Sequence, residues 1–176
     1  MADALTGKVN PSGKLAESWP LALEDTPCCR YYPGKGKTSQ YREGLYAGYR
    51  YYDTAQVKVR WCFGYGKSYS NFAYSRLKVQ GDQVSFTVTN TSLRPGEEIA
   101  QVYIACKDSA LYRPAKELKG FQKVHLESGQ RKEITITLDD KAFRYYDRER
   151  GCFRTEGGSY DIMVGASSSD IRLRCA

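Results

Sequence analysis

Six segments in the second half of the chain alternate apolar and polar residues at every other position. This period constrains the fold more than any other feature of the sequence. In QVSFTVTNT, Val84, Phe86 and Val88 fall on one face and Ser85, Thr87 and Thr89 on the other. AQVYIAC groups Val102, Ile104 and Cys106, and KVHLESG sends Val124 and Leu126 inward and His125 outward. KEITITL aligns Ile134, Ile136 and Leu138, and SYDIMVG aligns Tyr160, Ile162 and Val164. IRLRC sets Ile171, Leu173 and Cys175 against Arg172 and Arg174. A period of two marks a strand with one face in a core and the other in water. Turn residues separate the segments: Gly81-Asp82, Arg94-Pro95-Gly96, Ser128-Gly129 and Gly157-Gly158.

About seven short strands in roughly 100 residues predict a β-sandwich of the immunoglobulin or fibronectin type III style. Residues 1–73 follow a different grammar. GKLAESWPL reads as one strand closed by Pro20, and ADALTG reads as a helix end stopped by Gly7. Around them lie NPSG, TPCC, YYPGKGK and a tyrosine-rich run. So much loop in a compact domain signals missing partners, so this half reads as the tail of a domain whose sheet lies upstream. The expected division is 1–73 and 74–176, and the fold class is mainly β.

Composition removes several function classes. The net charge is +7, yet residues 1–73 hold 10 Lys and Arg against 6 Asp and Glu, and the remainder 17 against 14. Charge spread this evenly argues against nucleic acid as a partner. No run of about 18 apolar residues exists to span a membrane. The start lacks a basic region followed by an apolar run, so no secretory signal is read there. The six cysteines, Cys28, Cys29, Cys62, Cys106, Cys152 and Cys175, fit neither a stapled scaffold nor a CxxC zinc site. Reduced thiols and a cytoplasmic location are expected. His125 is the sole histidine, which leaves no inventory for a histidine-based triad or metal site. No cofactor is expected.

The sequence carries several motifs in a fixed order. ADALTGKVNPSGKLAESWPL resembles the segment of family 3 glycoside hydrolases in which a helix ends, an Asn-Pro-Ser-Gly turn follows and a strand leads to Trp-Pro or Phe-Pro. YREGLYAGYRYYDT, residues 41–54, resembles that family's Tyr-x-Glu-Gly-x-Tyr-x-Gly-Tyr-Arg-Tyr-Tyr-Asp stretch. FGYGKSYSNFAY, residues 63–74, is similar to its Phe-Gly-Tyr-Gly-Leu-Ser-Tyr stretch, with Lys67 where leucine is usual. ELKGFQKVHLESGQ and GGSYDIMVGASSSDIRL resemble the fibronectin type III-like domain that follows in many members. The resemblance implies that residues 1–73 end an α/β sandwich domain and that the parent protein hydrolyses terminal non-reducing β-linked glucose or xylose with retention. The remaining catalytic domains of that parent are then the partners of this chain, and a glycoside or oligosaccharide is met through them. Exposed residues of 1–73 also offer a route to self-association.

Within the family, the Tyr and Gly runs belong to domain contacts, so Tyr46, Tyr49, Tyr51, Tyr52, Tyr65 and Tyr69 are expected to pack at an interface. A stacking platform for sugar rings is the alternative. A retaining glycosidase needs two carboxyl groups about 5 Å apart. The resemblance places the nucleophile in a Ser-Asp-Trp context on a barrel domain and the acid/base ahead of ADALTG; neither occurs here. Ser169-Asp170-Ile171 begins a strand and is a decoy. Glu43, next to Arg42 and with Arg50 and Asp53 further along, is expected to form a buried ion pair with an arginine, contact with substrate being the alternative. Glu97-Glu98, Asp139-Asp140 and the run Asp147, Arg148, Glu149 and Arg150 read as solvated turn residues. No catalytic, cofactor-binding or metal-binding residue is therefore assigned, and the chain alone is expected to be inactive. The competing readings are a stand-alone carbohydrate- or protein-binding module and one chain of a split glycosidase.

Overall fold

The computed structural model describes residues 2–34 and 36–175. A one-turn helix, α1 (Ala2–Leu5), stops where Gly7 turns at φ +76°. A short ribbon follows, β1 (Trp19–Pro20) paired antiparallel with β2 (Val59–Trp61), and between its strands lie a 3-10 turn (Leu23–Asp25) and α2 (Tyr49–Thr54). The expected strand over residues 13–21 is therefore mostly absent. Ser18 Oγ accepts the Phe63 N–H at 3.0 Å, so a side chain replaces a backbone partner there. Leu15 keeps two backbone bonds, to Gly64 and Tyr65.

The sandwich comprises β3 (Phe72–Gln80), β4 (Gln83–Asn90), β5 (Gly96–Cys106), β6 (Glu117–Leu126), β7 (Arg131–Thr137), β10 (Tyr160–Gly165) and β11 (Ile171–Cys175). A hairpin of β8 (Arg144–Asp147) and β9 (Cys152–Thr155) stands between β7 and β10. One sheet runs β3-β4-β7 and the other β11-β10-β5-β6, with every pairing antiparallel. The core fills the space between them. Val84, Phe86, Val88, Val102, Leu126, Ile134 and Val164 are nearly or fully buried, as their alternation requires. Each such side chain contributes about 1.5–3 kcal/mol by leaving water. Tyr160 opens β10 and donates its hydroxyl to the Glu156 carbonyl at 2.8 Å, the tyrosine corner of immunoglobulin-like sandwiches.

The expectation of one wet face fails on the second sheet. Ala100, Gln101, Val102, Tyr103 and Ile104 are consecutively buried in β5, and Met163 is buried beside Ile162 and Val164 in β10. Residues 1–73 are the cause, because part of them lies on the outer face of this sheet and adds a third layer. Ile171 joins that outer layer while Leu173 packs on the main core. A register shift at Val164/Gly165, opposite Ile171, separates the two.

Candidate functional site

The third layer is built by the two tyrosine- and glycine-rich runs. The Tyr49 ring stacks on Phe63 at 4.5 Å and meets the edge of Tyr103 at 6.2 Å, and Met163 closes the cluster. The Tyr49 hydroxyl accepts the Leu118 N–H at 2.8 Å. Burial raises the pKa of the Tyr49 phenol. Burial, and then the neighbouring Tyr49 and Asp53, also push Tyr103 far above the usual phenol range. The polar side of α2 is tied to the stretch that leads into β6 and to its first residue, Glu117. Asp53 lies 2.9 Å from Lys116, Arg50 lies 3.6 Å from Glu117, and Thr54 Oγ1 accepts the Ala115 N–H at 2.9 Å.

Two glycines allow the close approach. A Cβ on Gly64, whose φ is +76°, would overlap the Gln101 side-chain amide, and one on Gly66 would overlap the Gly13 carbonyl. Gln101 is buried and donates to the Ala166 carbonyl at 2.8 Å and the Gly64 carbonyl at 3.3 Å, while its oxygen accepts from the Tyr103 hydroxyl. A side chain at residue 64 would therefore displace the Gln101 amide and strain a left-handed backbone. Of the other tyrosines expected at an interface, Tyr52 is buried, and Tyr46, Tyr51 and Tyr65 are half-buried, with Tyr46 packed on Tyr112. Tyr69 is 48% exposed and donates to the Ala4 carbonyl at 2.6 Å.

Asn10 of the Asn-Pro-Ser-Gly turn forms a second clamp. Its Nδ2 donates to Ser70 Oγ and the Pro95 carbonyl, and its Oδ1 accepts from Ser68 Oγ and the Tyr69 N–H. One amide thus joins the first segment, the linker and the turn before β5. Beside it opens a cleft of about 410 Å³, lined by residues that include Lys14, Ser68, Ser70, Glu98, Ser167 and Arg172.

The structure corrects two readings of the carboxylates. Glu98 is not a solvated turn residue; it is 5% exposed and sits 2.8 Å from Lys14 Nζ. Glu97 accepts from Ser12 and lies 2.7 Å from Lys123. The run IAQVYIAC held the missed signal, because a nearly unbroken apolar run marks a strand covered on both faces. Glu43 pairs with neither Arg42 nor Arg50 among the described residues, since Arg50 turns to Glu117 and Arg42 covers the Tyr31 ring at 4.5 Å. Glu43 instead lines a second cleft, of about 400 Å³, with Glu17, Trp19 and Tyr52. Asp139 and Asp140 are exposed, as expected, whereas Asp147, which ends β8 at the hairpin turn, keeps only 15% of its side chain exposed and accepts from the Glu149 and Arg150 N–H.

A general acid needs a raised pKa. Here Glu97, Glu156 and Asp170 are instead held below their ordinary values. Hydrogen bonds from Lys123 and Ser12 lower Glu97, one from Ser109 lowers Glu156, and one from Arg172 lowers Asp170. Among the described residues no group of three or more His, Cys, Asp or Glu could hold a metal ion, and no helix is long and apolar enough to cross a membrane.

Residues 1–49 match the glycosyl hydrolase family 3 C-terminal domain, and residues 98–168 match the fibronectin type III-like domain. The chain belongs to glycoside hydrolase family 3. It carries the end of that family's α/β sandwich domain and the fibronectin type III-like domain. It is 43% identical over 99% of its length to thermostable beta-glucosidase B of Acetivibrio thermocellus, of which it covers 24%. It is also 43% identical over 97% of its length to an exo-alpha-(1->6)-L-arabinopyranosidase of Bifidobacterium longum, covering 23% of that protein. Among solved structures, the family 3 beta-glucosidase of Bifidobacterium adolescentis superposes with a TM-score of 0.94 at 42% identity, over 99% of this chain and 27% of that one. Beta-glucosidase 3B of Thermotoga neapolitana, solved with glucose, superposes at 0.90 and 37% identity, over 99% and 25%. The family 3 chain therefore spans about a quarter of the length of these relatives.

Proposed function

We propose that this chain is the non-catalytic C-terminal brace of a retaining family 3 glycosidase that acts on terminal non-reducing β-linked sugars, glucose or xylose. One observation carries the reading. The Tyr49–Phe63–Tyr103–Met163 layer fastens the end of one domain onto the outer face of the next. Both catalytic carboxyl groups come from sequence outside these residues, and the other domains of the parent are the partners. The equal 43% identity to a beta-glucosidase and to an arabinopyranosidase supports placing sugar choice outside this segment. The thiol-rich composition and the absence of disulfides at Cys28, Cys29, Cys62, Cys106 and Cys152 support a reducing, cytoplasmic setting. A stand-alone sugar-binding module is disfavoured, because the uncovered outer face of β3-β4-β7 presents Ser75, Ser85, Thr87 and Thr135 in place of an aromatic row. Exposed apolar residues of this region, among them Leu21, Leu23, Tyr32 and Tyr41, meet the rest of the parent, or a second copy when the parent is absent.

The test is hydrolysis of aryl β-glucoside and β-xyloside by the 176-residue chain beside a family 3 protein that contains the barrel. The expected result is silence from the chain and turnover by the longer protein. Turnover by the chain that survives further purification would overturn the reading.

A further inference from the structure

The cleft of about 400 Å³ around Glu43 lies on the first region, between β1 and the start of α2. Its lining includes Glu17, Trp19, Glu43 and Tyr52, and among the described residues no lysine, arginine or histidine lines it. Elsewhere the chain matches its carboxylates. Every other buried or half-buried one meets a lysine or arginine, except Asp25, which accepts the Ala22 N–H at 3.1 Å. Glu43 is half-buried, yet among the described residues its carboxylate has neither a cation nor a hydrogen-bond donor, and the exposed Glu17 has none either. A charge drawn part-way out of water without a partner is costly.

A third group in the cleft is unpartnered. Tyr52 is 5% exposed, and its hydroxyl has no hydrogen-bond partner among the described residues. Burial raises the pKa of this phenol, and Cys28, Tyr51, Asp25 and Glu17 raise it further, so its polar end stands near acids. Two carboxylates and a phenol oxygen can all accept from N–H groups, and Trp19, 47% exposed, offers a ring beside them. A guanidinium group answers every one of these features. It carries a fixed positive charge, five N–H donors in one plane and a flat face that stacks on aromatic rings, whereas an ammonium has three donors and no flat face. The rim indicates the source. Leu21 and Leu23, just beyond Trp19-Pro20, are 56% and 70% exposed, so the cleft opens on an apolar surface of the kind that meets another protein part. The chain spans only about a quarter of the length of its relatives.

We propose that this cleft is the socket for an arginine side chain from the parent's remaining domains, held by Glu43, Glu17 and the Tyr52 hydroxyl against Trp19. The source of the arginine rests on the brace reading, whereas the chemistry of the socket is tested on this chain alone. The test is an NMR titration of the 176-residue chain with N-acetyl-L-arginine amide, its neutral citrulline isostere, its lysine counterpart and methylguanidine. The arginine amide should give saturable shifts at the backbone amides of Glu17, Trp19, Glu43 and Gly48, with a Kd of about 1–10 mM. The citrulline amide should give none. The lysine amide and methylguanidine should each bind at least about threefold more weakly, one lacking the planar donors and the other the apolar stem. Glu43→Gln should weaken binding of the arginine amide at least about fivefold. Absence of saturable shifts, or equal responses to the arginine and citrulline amides, would overturn the socket, and that comparison requires no variant to fold. A lysine amide that binds as tightly as arginine would overturn the guanidinium assignment. Methylguanidine binding as tightly as the arginine amide would assign a free small cation and overturn the docking. None of these results alters the hydrolysis comparison on which the brace reading stands.

Discussion

The two sheets of the sandwich follow one sequence pattern and end in different surroundings. On β4, Ser85, Thr87 and Thr89 form a polar outer face, where Ser85 and Thr135 share a hydrogen bond at 2.9 Å. On β5, the equivalent outer residues Gln101 and Tyr103 are 3% and 0% exposed. Alternation fixes which face meets the main core and leaves open what covers the other face. The identity of the outward residues decides that. Serine and threonine tolerate water, whereas Tyr103 and Met163 supply apolar area that residues 49–66 remove from it.

Substitutions on the two faces sharpen the contrast. Tyr103→Ala removes the centre of the covering layer and should cost about 3–5 kcal/mol, read as a fall in the urea midpoint. Gly64→Ala should cost about 1–3 kcal/mol in the same measurement, because its Cβ meets Gln101 and its φ is positive. Acid should act next. Glu97, Glu156 and Asp170 have folded pKa values below their ordinary ones, so the stability they contribute is complete above the usual carboxylate range. It is lost as pH falls through the lowered values. Chemical unfolding at pH 7 and pH 3 should therefore show a lower midpoint in acid. Thr87→Ala on the open face should change stability by less than about 0.5 kcal/mol; a loss comparable to that of Tyr103→Ala would break the comparison.

The sandwich was legible because strand period and core burial arise from neighbouring residues. Val84, Phe86 and Val88 declare their face within five positions, and all three are fully buried. The covering layer was legible only in kind. The tyrosines and glycines pointed to an interface, but Tyr49 meets Tyr103 across more than fifty positions of sequence, a pairing that no local pattern encodes. Glu98 was misread for the same reason. Its position after Pro95-Gly96 signals a turn, and its partner Lys14 lies in another segment. β3 was also missed as a strand. Its register breaks between Ser75 and Lys78, where Arg76 takes φ +59°, and the bulge disrupts the alternation.

The central claim is that residues 1–73 and the sandwich form one body, and the chain carries its own reporter. Its two tryptophans, Trp19 and Trp61, both lie in the first region and meet edge to face at 5.3 Å, while most strand residues lie in the second. Urea unfolding followed in parallel by tryptophan fluorescence and far-UV circular dichroism tests the claim directly. Coincident transitions are predicted. A fluorescence transition complete before the strand signal begins to fall would show that the layer over Tyr103 does not hold the two regions together.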